Sequence, residues 1–149
     1  MKKVGIIGGA GYTAGELLRL LINHPEISVE WVHSESNAGK PVSSVHIGLL
    51  GETDLVFSDS HPLEEIDILF LCSAHGHSCR FWEENSRPDG LMVIDLAQDF
   101  RDESNGYVYG LPEKNFQRIA ASRSVANPGC FATAIQLSLL PLAAAGLLP

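Results

Sequence analysis

The chain has 149 residues, 45% of them apolar, which suits one domain with a real core. Its net charge of -8, with no basic run, argues against nucleic acid or an anionic membrane as the main partner. Three cysteines without paired spacing, Cys72, Cys79 and Cys130, suit a reducing cytoplasm rather than a disulfide framework.

Met1 to Gly8 carries charges and then a short apolar stretch, superficially like a signal peptide, but glycines interrupt it and a helical pattern follows at once. A buried strand over Lys3–Ile7 is the better reading. The turn Gly8-Gly9-Ala10-Gly11-Tyr12-Thr13-Ala14-Gly15 comes next, and Ala14, Leu17, Leu18 and Leu21 recur on one helical face. Pro25 stops that helix, and Ser28–His33 reads as a second strand. Strand, small-residue turn, helix and strand form the setting of a dinucleotide fingerprint, although the spacing is Gly-x-x-Gly-x-x-Ala rather than Gly-x-Gly-x-x-Gly. Small residues there let the backbone approach a pyrophosphate at a helix N-terminus. A lone glycine turn is also what any tight strand-to-helix corner uses.

After the second strand, Ser34 and Ser36 are candidates to hydrogen-bond a phosphate, Lys40 adds a positive charge and Glu35 opposes one. This stretch alone does not separate NAD from NADP. Val42 to Thr53 reads as a long connection that folds over the cofactor, and Asp54–Ser58 as a weak strand. Ile68–Cys72 is a continuous apolar run, the pattern of a central parallel strand. It ends in Ser73-Ala74-His75-Gly76, a second candidate for cofactor contact, before a helix that reaches Asn85. His75 and His77 beside Cys72 and Cys79 match no zinc spacing, so no metal is assigned.

Leu91–Leu96 is another buried strand, a short helix lies near Asn115–Ile119, and Ser124–Ala126 is a brief strand aimed at Asn127-Pro128-Gly129-Cys130. The apolar run from Phe131 to Leu148 reads as a helix, and Gln136, Ser138 and Pro141 within it argue against a membrane span. Cys130 then starts that helix, where unpaired amides and the helix dipole favour a thiolate nucleophile. The plainer alternative is a small buried hydrophobe. Cys79 is expected on a helix away from such a field. The fold class is α/β, a doubly wound, mostly parallel sheet of Rossmann type with helices on both faces.

Six blocks in order carry a resemblance: Gly8-x-x-Gly11-Tyr12-Thr13, Asn37-Ala38-Gly39-Lys40, Ala74-His75-Gly76, Asp95-Leu96-x-x-Asp99-Phe100-Arg101, Tyr109-Gly110-Leu111-Pro112-Glu113 and Asn127-Pro128-Gly129-Cys130. Together they resemble the N-terminal half of the N-acetyl-gamma-glutamyl-phosphate reductase family, within the semialdehyde dehydrogenase superfamily. The resemblance implies NADPH-dependent reduction of an N-acyl-glutamyl phosphate to the γ-semialdehyde in arginine biosynthesis. It implies Cys130 as nucleophile, with Gly8 to Ala14 and Ser73 to Gly76 lining the cofactor site. It also implies a second domain after Pro149, bearing the general-base histidine and most substrate contacts, in a cytoplasmic homo-oligomer. The present half is then expected to bind nucleotide and hold a reactive thiol with little turnover of its own.

Three departures stand out. Ala14 occupies the third small position, Glu35 replaces an Arg common in relatives and puts NADP preference against NAD in question, and Phe131-Ala132-Thr133 replaces Tyr-Pro-Thr. The competing readings are an aspartate-semialdehyde dehydrogenase, which the Pro-Gly before Cys130 and the Tyr109 block oppose, and a stand-alone nucleotide-binding or redox-sensing module.

Overall fold

Alternation along the first strand, β1 (Lys2–Ile7), sets the two layers of the molecule. The computed structural model describes residues 1–148. Val4 and Ile6 face one side of the sheet and pack on α1 (Tyr12–Leu21) through Ala14, Leu18 and Leu21. Ile7 faces the other side, with Trp31 of β2 (Ile27–His33). Gly5 is needed there because the Trp31 ring lies where its Cβ would stand, 2.2 Å away.

β3 (Phe57–Ser58) is shorter than the Asp54–Ser58 stretch suggests, while β4 (Ile68–Leu71) is central and nearly fully buried. Its alternation splits Phe70 onto the α1 side from Leu69 and Leu71 on the other. That second side is covered by Phe81 and Trp82 of α2 (His77–Glu84). β5 (Met92–Asp95), β6 (Val108–Tyr109), α3 (Pro112–Ala121), β7 (Ser124–Ala126) and α4 (Cys130–Ala144) complete the chain. β6 has no counterpart in the sequence reading; two residues are too few to show a period.

The seven strands form one sheet in the order β3-β2-β1-β4-β5-β7-β6, every pair parallel. The expected doubly wound α/β sheet is therefore present. Strand order reverses between β1 and β4, so the crevice of such folds opens over their carboxyl ends. Loop-start amides extend the ladder along that edge: Cys72 N–H donates to Ile7 O at 2.9 Å, Leu96 to Leu71 O at 2.9 Å and Asn127 to Asp95 O at 2.7 Å.

α4 differs from the other helices. It is apolar all round yet buries no residue, and its side-chain tie to the sheet is Gln136 Nε2 donating to the Tyr109 hydroxyl at 2.7 Å. Among the described residues no helix is long and apolar enough to cross a membrane.

Candidate active site

Four loops converge on the carboxyl edge of the sheet, after β1, β2, β4 and β7. Gly8 has φ +74°, and a Cβ there would lie 2.8 Å from the Cys72 carbonyl carbon, so glycine is demanded by the fold itself. Gly9 turns inward: a Cβ would meet Val32 at 2.3 Å, and its amide donates to His33 O. Ala14 is fully buried in the core and Ala10 packs against it. These three residues, Gly9, Ala10 and Ala14, hold the turn's shape rather than presenting a side chain to a ligand.

Gly11 is the informative position. Its φ of -76° suits any residue, and a Cβ would meet nothing nearer than 3.5 Å. The fold does not require glycine there, and the bare backbone leaves room for a ligand to approach it closely. Gly11 is the N-cap of α1 and offers no side-chain cap, so the first amides of that helix remain available to an anion. These features fit a dinucleotide pyrophosphate. Tyr12, 98% exposed, points away into solvent.

Two clefts flank the turn. The first, about 570 Å³, is lined by Gly8, Ser34, Glu35, Ser36 and Ser73 with part of α2. Ser34 is buried and Ser36 exposed, and the Oγ of each accepts a hydrogen bond from Asn37 Nδ2. Its floor holds His33 and His61, whose rings meet edge-on at 4.9 Å; burial and then the neighbouring His61 hold His33 below the usual histidine range. The second cleft, about 810 Å³, joins Thr13 and His75 to Arg101, Asn127, Gly129 and Cys130. His75 Nδ1 accepts the Gln98 amide at 3.1 Å, so Nε2 is the ring nitrogen left to donate. Of the β4 turn residues, Ser73 thus reaches the first cleft and His75 the second, while Ala74 is exposed and the Gly76 amide is taken by Asp99.

Cys130 is the first residue of α4 and is exposed, with Gly129 as an N-cap that has no capping side chain. Uncapped amides therefore lie at the turn that carries Cys130, and the N-terminal end of a helix is a place that favours negative charge. The turn is clamped by Arg101, whose Nε donates to Asn127 O and whose Nη2 donates to Leu96 O, both at 2.9 Å. A Cβ on Gly129 would stand 3.1 Å from Arg101 Nη1, so the guanidinium lies beside the cysteine turn. Arg101 stands in the Asp95-to-Arg101 block without an assigned role; the clamp depends on the Asn127 carbonyl, 26 residues along the chain, which no local spacing reveals.

Asp99, in the same block, has no role in the sequence reading for the same reason. Its carboxylate accepts the amides of Gly76 (2.7 Å), Ser78 (3.0 Å) and Cys79 (3.1 Å), capping α2 from about twenty residues away. Burial opposes ionisation of Asp99, but those amides outweigh it and hold its carboxyl below the usual carboxylate range. This corrects the expectation for Cys79, which does lie in the first turn of a helix. Desolvation at its sulfur and then the charge of Asp99 push the Cys79 thiol up. Cys72 is buried, and burial with the nearby Asp95 charge pushes it up to about 12. The long connection after β2 packs on the glycine turn and the start of α1: His46 Nε2 bonds Gly9 O at 2.7 Å and its ring sits over Gly15. Among the described residues no three His, Cys, Asp or Glu side chains cluster as metal ligands.

A parallel sheet reversing order beside this glycine turn, with an exposed cysteine opening a helix on the same edge, defines a Rossmann-type nucleotide-binding domain that carries a candidate nucleophile. Residues 3–122 match the family described as semialdehyde dehydrogenase, NAD binding domain, and the chain belongs to it. It is 58% identical over 145 residues to N-acetyl-gamma-glutamyl-phosphate reductase of Phocaeicola vulgatus, covering 96% of this chain and 45% of that protein. The like-named protein of Azobacteroides pseudotrichonymphae is 59% identical, with 99% and 47% covered. The chain thus spans about half the length of the curated relatives it matches. Among solved structures, aspartate semialdehyde dehydrogenase II from Vibrio cholerae superposes with a TM-score of 0.76 at 22% identity, covering 97% of this chain and 43% of that one. The Candida albicans aspartate semialdehyde dehydrogenase with NADP gives 0.71 at 20%, covering 95% and 46%. At these identities the likeness carries the fold alone.

Proposed function

We propose that this domain binds NADPH and carries the nucleophile of a reductase acting on an N-acyl-γ-glutamyl phosphate, releasing phosphate and the γ-semialdehyde. The observation that carries the reading is the shared cleft: Cys130 opens α4 opposite Thr13 of the cofactor turn and His75 of the β4 turn. A dinucleotide laid from the Ser34 cleft across Gly8 and Gly11 would end beside the sulfur.

The Cys130 thiolate attacks the acyl carbon, a C–S bond forms, and the C–O bond to phosphate breaks, leaving a thioester and inorganic phosphate. Arg101, lining the same cleft, is placed to stabilise the departing phosphate dianion. A reduced nicotinamide held along Gly8 and Gly11 would supply hydride for the reductive half of the reaction, at the thioester carbon on Cys130. Release of the aldehyde returns the thiolate to Cys130, where the α4 amides again stabilise it.

NADP as the preferred cofactor, a cytoplasmic setting and a homo-oligomer in the complete polypeptide belong to the same proposal. The test assays the complete polypeptide that carries this domain with N-acyl-glutamyl phosphates and each nicotinamide cofactor. Phosphate-dependent oxidation of the semialdehyde, or reduction of the acyl phosphate with phosphate release, is expected. Turnover of β-aspartyl phosphate instead would replace the substrate assignment, and nucleotide binding without any acyl-phosphate chemistry would leave only the binding or redox module.

A further inference from the structure

His77, Arg80, Phe81 and Glu84 recur at i, i+3, i+4 and i+7 and so form one face of α2. That face is a wall of the first cleft, whose other wall is Ser34, Glu35 and Ser36. Arg80 is the only lysine or arginine among the residues that line this cleft, against two carboxylates, Glu35 and Glu84. Its Nε donates to Glu84 Oε1 at 2.8 Å, and its Nη groups have no partner among the described residues. Across the cleft, each serine Oγ accepts from Asn37, so each hydroxyl proton is free to be donated outward.

We infer that Arg80 is the residue that selects NADP over NAD, by binding the 2′-phosphate between α2 and the two serine hydroxyls. The inference rests on the reading that the domain binds NADPH. A 2′-phosphate brings close to two negative charges into a cleft that already holds Glu35 and Glu84, so repulsion dominates unless a cation answers it. The Nη pair of a guanidinium, with Nε occupied, presents two parallel donors matched to two phosphate oxygens. An unphosphorylated ribose needs no such cation, since its 2′-hydroxyl can donate to Glu35.

The experiment titrates NADPH and NADH, by nicotinamide fluorescence, against the wild-type chain and its Arg80→Ala and Glu84→Gln variants. Arg80 and Glu84 are exposed on the helix surface, so both variants should keep their fold, and a thermal melt checks it. Arg80→Ala should weaken NADPH by about 10- to 100-fold, the range of a charge-assisted pair, and leave NADH within about twofold. Glu84→Gln should tighten NADPH and leave NADH unchanged, because one repelling carboxylate is gone. Equal weakening of both nucleotides by Arg80→Ala would show that Arg80 stacks on adenine and would overturn the inference, as would unchanged NADPH affinity. Failure of the wild-type chain to bind either nucleotide is a separate result, which removes the cofactor reading along with this one.

Discussion

Replacing Asp99 by alanine tests how a residue without apparent chemistry shapes the cofactor edge. The substitution removes three hydrogen bonds from the start of α2, to the amides of Gly76, Ser78 and Cys79. Gly76 and Cys79 are exposed and can turn to water, so their loss is small. Ser78 is fully buried, and an unsatisfied buried amide costs about 1–3 kcal/mol. Loss of the negative charge at a helix N-terminus adds about 0.5–1 kcal/mol. The sum is about 1.5–4 kcal/mol, or a fall in Tm of about 3–16 °C for a chain of this size. The pH dependence has a definite sign. The folded-state carboxyl lies below its unfolded value, so its stabilisation is complete above the ordinary carboxylate range near pH 4 and is lost as pH falls through the folded value. Thermal melts of wild type and Asp99→Ala at pH 7 and across the acid range measure both effects. The gap should be full at pH 7 and close in acid. A gap under 1 °C at pH 7, or one that widens on acidification, would refute the capping argument.

Gly11→Val should cost at most about 1 kcal/mol of stability, because φ and space at Gly11 admit a side chain, yet abolish nucleotide binding by calorimetry. Unchanged affinity would make the turn a structural corner only. Cys130 should be the first thiol labelled by limited iodoacetamide at neutral pH, since burial protects Cys72 and Asp99 opposes the Cys79 thiolate; peptide mapping that finds either of those first would remove the electrostatic argument. In the complete polypeptide, Cys130→Ser should keep nucleotide affinity and lose phosphate release from the acyl phosphate, an outcome that near-normal turnover would contradict. Glu35→Arg should raise the NADPH-to-NADH affinity ratio by about tenfold, by trading a repelling charge for an attracting one in the cleft it lines. An unaltered ratio would place the Glu35 carboxylate in solvent.

Much of the fold is legible because its signals are local. The apolar run Ile68–Cys72 and the spacing of Ala14, Leu18 and Leu21 state their periods within a few residues, and the structure buries both. The short β3 and β6 were misjudged or missed because pairing, with β2 and β7 respectively, makes them strands; their own composition does not. The same division runs through the site. Gly8, Gly11 and Cys130 announce themselves by backbone freedom and by position at a helix start, which neighbouring residues determine. The assignments of Gly9 to the core and of His46 to the face of Gly15 depend on what lies across the sheet.

Sequence by itself thus determined the parallel α/β class, the glycine turn at the head of α1 and the cysteine at the head of α4. Only the tertiary structure decided that Asp99 holds the N-terminus of α2, that Arg101 clamps the cysteine turn and that Arg80 shares a cleft with Ser34 and Ser36. The physical reason is range. Helix periods and turn conformations are set by contacts a few residues apart, whereas a charge finds its partner wherever the folded chain leaves unpaired amides or carbonyls within hydrogen-bond reach.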